Sequence, residues 1–230
     1  MLSALRYLHE EMGEICRINL PGFQPVVLVG PEANHYILVE ARHELRWRPE
    51  GDPVTRLLRQ GVLVVDGEFH DSLRRLINPA LHKRMLGSYT DTMLLRTDQV
   101  LDDWKDGTTR DMLVEMRRIA LLILMDSLFK VDFSEEMPRL WEAILKTLAF
   151  ISPGAWLFWP GIPRPGYRRA LRQMDRYLYQ LIRERRESSA QNDDLIGILI
   201  ANPALNDDLI RDQLLTILIA GHDTSTALLA

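Results

Sequence analysis

The residues best suited to chemistry lie in the run Leu214-Leu215-Thr216-Ile217-Leu218-Ile219-Ala220-Gly221-His222-Asp223-Thr224-Ser225-Thr226. Residues 214–220 are apolar on nearly every side, which predicts a buried helix. A polar cluster then interrupts it. Gly221 costs about 1 kcal/mol against alanine inside a helix, and a buried Asp or Thr is expensive unless hydrogen-bonded. Two rules broken together point to a site. Gly221 would let a ligand approach the backbone, while the Thr224 hydroxyl would bond the carbonyl of Ala220 and bend the helix. Asp223 and Thr224 stand about 100° apart around the axis, so a proton would pass between them only through water. A helix tolerating a satisfied polar notch fits the composition equally well.

A second constellation is Asp66-Gly67-Glu68-Phe69-His70-Asp71-Ser72-Leu73-Arg74-Arg75-Leu76. His70 and Arg74 are four apart and share a helix face, so both can meet one anion, the Arg fork pairing a carboxylate through two hydrogen bonds. Asp66 with His70 and Asp71 with Arg75 have the same spacing, acid first, and on this segment alone local ion pairing is the preferred reading. The basic run Arg164, Arg168, Arg169, Arg172, Arg176, Arg183, Arg185 and Arg186 reads as a solvated helix face ahead of a partner or lipid surface. Cys16 falls on the apolar side of a strand, as a buried inert thiol would.

These groups must be carried by a mainly helical chain. Leu2, Leu5, Leu8 and Met12 recur at helical spacing up to Gly13. Alternation in Ile15–Leu20 and the run Val26–Val29, separated by Pro21-Gly22, predicts a hairpin at about 14–30. Helices are then expected at 31–40, 53–59, 66–81 with Asp66 as N-cap, 87–104, 110–129, 137–150 and 167–187, with a short one at 193–201. The last, capped by Asn206, runs from Asp207 to Ala230, some ~36 Å at 1.5 Å per residue. Residues 61–65 read as extended, Trp47-Arg48-Pro49-Glu50-Gly51 as a loop, and Ser152–Gly166 as a proline-rich loop around Trp156-Leu157-Phe158-Trp159.

The 230 residues carry 28 basic and 32 acidic side chains and one cysteine. A net charge of −4 argues against a general nucleic-acid binder, and one cysteine excludes internal disulfides and thiolate-rich metal centres, so no metal-ligating set is expected. The longest apolar runs are too short for a membrane span and no signal peptide is evident, which makes a cytoplasmic setting the expectation.

The order of these segments resembles that of the cytochromes P-450, a family of haem-thiolate monooxygenases. Ala220-Gly221-His222-Asp223-Thr224-Ser225 is similar to the family's oxygen-binding motif in its long central helix, and Asp66–His70 opens a segment similar to one in which a Trp or His, then an Arg four later, binds haem propionates. The opening helix and hairpin, Leu128-Phe129-Lys130-Val131-Asp132-Phe133, the aromatic loop and Leu181-Ile182-Arg183-Glu184-Arg185-Arg186 extend the likeness almost end to end. The resemblance implies that His70 and Arg74 pair with haem propionates, that Ala220 and Gly221 form the groove where oxygen binds, and that Asp223 and Thr224 deliver protons for O–O cleavage. The loops at 47–65 and 152–166 would border the substrate channel. It further implies haem as cofactor and NAD(P)H acting through a redox partner. Its partners would be O2, a ferredoxin- or flavoprotein-type electron donor and a small, hydrophobic organic substrate, with no nucleic acid.

The sequence departs from the family in lacking the C-terminal cysteine loop that holds the iron and the upstream E-x-x-R motif. Nothing around Cys16 resembles that loop. The expectation is therefore a single incomplete domain over 1–230, a cytochrome P-450-like helical fold with a small N-terminal hairpin, truncated within the central helix and inactive by itself. Its location would be membrane-associated instead if an N-terminal anchor precedes this sequence. The competing class is a non-enzymatic helical interaction module, or a pseudogene product, that retains the family pattern.

Overall fold

The computed structural model describes residues 2–19, 24–45, 52–151, 165–188 and 194–230. The turn at Pro21-Gly22, the loop Trp47–Gly51, residues 152–164 of the aromatic loop and Asp193 lie outside the described residues. The chain divides into two compact units, 1–49 and 50–230.

In the first unit α1 (Leu2–Met12) ends at Gly13, whose φ of 83° supplies the left-handed turn that closes a helix. Strands β1 (Ile15–Arg17) and β2 (Val26–Leu28) pair antiparallel with Cys16 opposite Val27. Cys16 is buried between exposed Ile15 and Arg17, the period-two pattern of a half-buried strand. Both strands are shorter than the alternation predicts. Ile18 N–H still donates to Pro25 O at 2.9 Å, but Pro25 has no N–H to return, so the ladder stops. Pro31 opens α2 (Pro31–His35) at the position where its missing N–H costs nothing. The helix continues to Glu40 with a wider turn, Ala41 N–H reaching back to Tyr36 O at 2.8 Å.

The second unit is a helical assembly: α3 (Pro53–Leu58), α4 (Gly67–Ile77), α5 (Leu86–Leu101), α6 (Met112–Phe129), α7 (Met137–Ile151), α8 (Tyr167–Glu187), α9 (Leu195–Ala201) and α10 (Asp207–Leu229). Side-chain caps start four of them, with Asp52, Asp111, Asp194 and Asn206 accepting N–H bonds from the first turns of α3, α6, α9 and α10. The core forms where α6 packs on α5 and α10, and α8 on α7 and α10. Leu121, Leu122, Met125 and Phe129 of α6 meet the same cluster as Ile210, Leu214 and Leu215 of α10, none more than 1% exposed. Burial of each such side chain contributes about 1.5–3 kcal/mol. Arg185 of α8 ties three elements together, donating to Phe129 O at 2.7 Å and Lys130 O at 3.0 Å, where α6 leaves carbonyls unpaired, and to Asp194 at 2.7 Å.

Three expectations need correction. The helix expected through Leu81 stops at Ile77, because Pro79 cannot donate to the helical ladder and disfavours helical backbone just before it. Turns follow, and the buried Tyr89 hydroxyl takes up Ala80 O at 2.9 Å. Asp66 occupies the N-cap position of α4 in extended backbone, but its side chain makes no capping bond. Residues 61–65 are not extended: Val64 N–H closes a turn on Gly61 O at 2.9 Å.

Candidate functional site

The polar notch of α10 lies within an unbroken helix. Asn206 Oδ1 accepts from Leu209 N–H at 2.9 Å, and Asp207 and Asp208 complement the dipole of the first turn. From Ile210 to Ile219 the helix is buried, with only Ile217 partly open. Exposure begins at Ala220, earlier than the apolar run suggests, and Asp223, Thr224 and Ser225 are also exposed. Ala220 and Thr224 therefore lie one turn apart on an open face of small side chains. The Thr224 hydroxyl donates to Ala220 O at 2.6 Å, as its spacing predicts.

Gly221 has a packing role. A Cβ built there would stand 2.4 Å from Leu124 Cδ1, so the missing side chain lets α6 approach α10. On the same side, His222 is fully buried and its Nε2 lies 3.2 Å from Arg117 O of α6. A carbonyl only accepts, so Nε2 carries the hydrogen, and Nδ1 has no partner among the described residues. Burial pushes the His222 imidazole below its ordinary pKa, with the Arg117 carbonyl and Asp223 opposing.

His70 and Arg74 lie one turn apart beside the stripe of α4 that buries Leu73 and Ile77, His70 half-buried and Arg74 exposed. His70 Nδ1 pairs at 3.1 Å with its neighbour Asp71. Arg74 is exposed and has no partner among the described residues. No hydrogen bond or ion pair joins either residue to α10 among the described residues. The donor set suits a carboxylate, for which a guanidinium and an imidazole one turn apart provide charge and directed N–H groups.

The sequence reading missed the polar residues that hold this region. Arg211 is fully buried, donating to Asp175 Oδ1 through Nε at 2.7 Å, to Leu57 O at 3.2 Å and to Asp212 Oδ1 at 2.9 Å. Arg59 stands 3.6 Å from Asp175 and 3.8 Å from Asp212. Burial pushes the Asp212 carboxyl above its usual range, opposed by Arg211 and the Gln60 N–H. Gln213, also fully buried, accepts from Val62 N–H at 2.8 Å and donates to Gln60 O at 3.0 Å. An Arg-Asp-Gln triplet entering a helix buried on every side was the available signal, since each buried polar group needs a partner. Among the described residues no three His, Cys, Asp or Glu gather as for a metal, and no helix is long and apolar enough to cross a membrane.

Comparison with known proteins bears on this arrangement. The chain is 28% identical over 195 residues to cyclooctat-9-en-7-ol 5-monooxygenase of Streptomyces melanosporofaciens, covering 78% of this chain and 42% of that protein. It is 26% identical over 226 residues to pentalenene oxygenase of Streptomyces avermitilis, covering 92% and 50%. The fold superposes on the haem domain of cytochrome P450DA with a TM-score of 0.81 at 21% identity, covering 99% of this chain and 53% of that one. A retinoic-acid-bound cyanobacterial cytochrome gives 0.78 at 22% identity over 96% and 52%. The chain thus spans about half the length of these relatives. The cytochrome P450 family model matches residues 1–230, and the chain belongs to that family.

Proposed function

We propose that residues 50–230 supply the propionate-binding and oxygen-facing side of a haem-dependent monooxygenase acting on a small apolar organic molecule. The relatives named for cyclooctat-9-en-7-ol and pentalenene are in keeping with such a substrate. The observation that carries the reading is the open face of α10, where a helix buried over two turns presents Ala220 and Thr224 outward. Small side chains on an exposed face leave room for a flat ring system, and Arg74 with His70 provides partners for its carboxylates. Haem, when bound, supplies the iron at which dioxygen is activated.

The chain's own residues then divide the work. Arg74 and His70 would hold the propionates through charge-assisted hydrogen bonds. Thr224, its hydroxyl hydrogen committed to Ala220 O, turns oxygen lone pairs toward the open face. Asp223, exposed beside it, would pass protons to a water that Thr224 Oγ1 holds by accepting its hydrogen bond. Cys16, the one cysteine of these 230 residues, is buried in β1, and we assign it no role in holding haem. A cytoplasmic setting and a ferredoxin- or flavoprotein-type electron donor complete the proposal.

The test is a haemin titration of the chain, followed in the Soret band, against Ala220→Leu. Leucine is a good helix former and the site is exposed, so the urea midpoint should hold. Haemin affinity should fall at least about tenfold, a loss of about 1.4 kcal/mol. Equal affinity in both chains refutes the open face as the haem surface.

A further inference from the structure

Segment 59–62 lies against α10, and three hydrogen bonds hold its backbone there. Gln60 N–H donates to Asp212 Oδ2 at 3.2 Å, Val62 N–H to Gln213 Oε1 at 2.8 Å, and Gln213 Nε2 to Gln60 O at 3.0 Å. The approach is so close that a Cβ on Gly61 would fall 1.8 Å from Thr216 Oγ1. Gln213 also donates to Leu209 O at 3.2 Å, so its buried amide is satisfied on both sides. The segment leads through the 61–64 turn into α4 at Gly67, and so to His70 and Arg74. On α10, Ala220 lies seven residues beyond Gln213, about 10.5 Å along the axis.

We infer that Gln213 is a positioning residue: by holding the Val62 N–H and the Gln60 carbonyl on α10, its side-chain amide sets where His70 and Arg74 stand relative to the Ala220–Thr224 face. The inference rests on the haem reading above. An amide is the side chain this task requires, since it presents one acceptor and donors side by side to a peptide backbone. A leucine presents neither. An ionised glutamate offers only acceptors, facing the Gln60 carbonyl and beside Asp212. A protonated glutamic acid restores both, with C=O to Val62 and O–H to Gln60 O.

The experiment compares the wild-type chain, Gln213→Leu and Gln213→Glu by amide hydrogen exchange at Gln60 and Val62 and by haemin titration. Arg211 and Asp212 on α10, Arg59 at the start of the segment and Asp175 on α8 face this region in all three chains. Gln213→Leu should exchange faster at Val62 and bind haemin at least about tenfold more weakly. Gln213→Glu should match it at about pH 8 and regain wild-type affinity as the buried carboxyl takes up a proton toward about pH 5, the wild-type change over that range being subtracted. Haemin affinity unchanged in Gln213→Leu despite faster exchange overturns the inference, as does a glutamate variant without pH rescue. A wild-type chain that takes up no haemin while Val62 stays protected overturns the haem reading and this inference with it.

Discussion

Replacing Gly221 by alanine separates a packing role from a ligand role at the centre of the motif. The new Cβ would stand 2.4 Å from Leu124 Cδ1, well inside the ~3.5–4.0 Å optimum for two carbons. Leu124 Cγ is 3.6 Å away, so only the terminal methyl must give. Leu124 is 7% exposed and packed in the core, where overpacking costs about 1–3 kcal/mol. Against this, alanine gains about 1 kcal/mol over glycine inside a helix. Gly221→Ala should therefore destabilise by about 1 kcal/mol, within a range of about 0–2. In a Leu124→Ala background the clashing methyl is gone and the same substitution should stabilise by about 1 kcal/mol. The coupling of about 2 kcal/mol is the quantity to measure, from urea denaturation of the four chains by circular dichroism. Stabilisation by equal amounts in both backgrounds would refute close approach of α6 at Gly221 and return that glycine to a purely ligand-facing role.

Two further outcomes follow from buried groups. His222 has its pKa lowered by burial from 6.5, so in acid the unfolded chain binds a proton that the folded chain refuses. Stability is then full above about pH 6.5 and falls as pH drops below it, and His222→Gln should make this slope shallower in a pH series of urea midpoints; an unchanged slope contradicts the burial argument. Arg211→Met leaves Asp175 and Asp212 with Arg59 as their one cation among the described residues, 3.6 and 3.8 Å away and partly exposed. The loss should approach the ~3–5 kcal/mol typical of a broken buried pair, and an unshifted urea midpoint would show that the cluster stabilises nothing.

What the sequence disclosed depended on how local the cause was. The bounds of α8, Tyr167–Glu187, and the start of α10 at Asn206 were readable because periodicity and caps act within a few residues. The back-bond of Thr224 to Ala220 was readable for the same reason. The Gln213 bracket was not, since its partners are backbone atoms of Gln60 and Val62, about 150 positions away, and carry no side-chain signature. Gly221 looked like a concession to a ligand until Leu124, one apolar residue among many in α6, proved to face it. The helix expected to pass Pro79 and reach Leu81 ends at Ile77 instead, because proline constrains the backbone that precedes it.

Whether α4 holds haem by its carboxylates against the open face of α10 is decided by titrating the chain and Arg74→Ala with haemin and with haemin dimethyl ester. A hydrogen bond to a charged group contributes about 1.5–3 kcal/mol, or roughly 10–150-fold in affinity. Esterification should weaken binding to the wild-type chain by that factor. Arg74→Ala should weaken haemin by a similar factor and leave the ester almost unchanged, because the charge that Arg74 pairs with is already gone. Equal loss for both ligands, or loss for neither, would contradict the account.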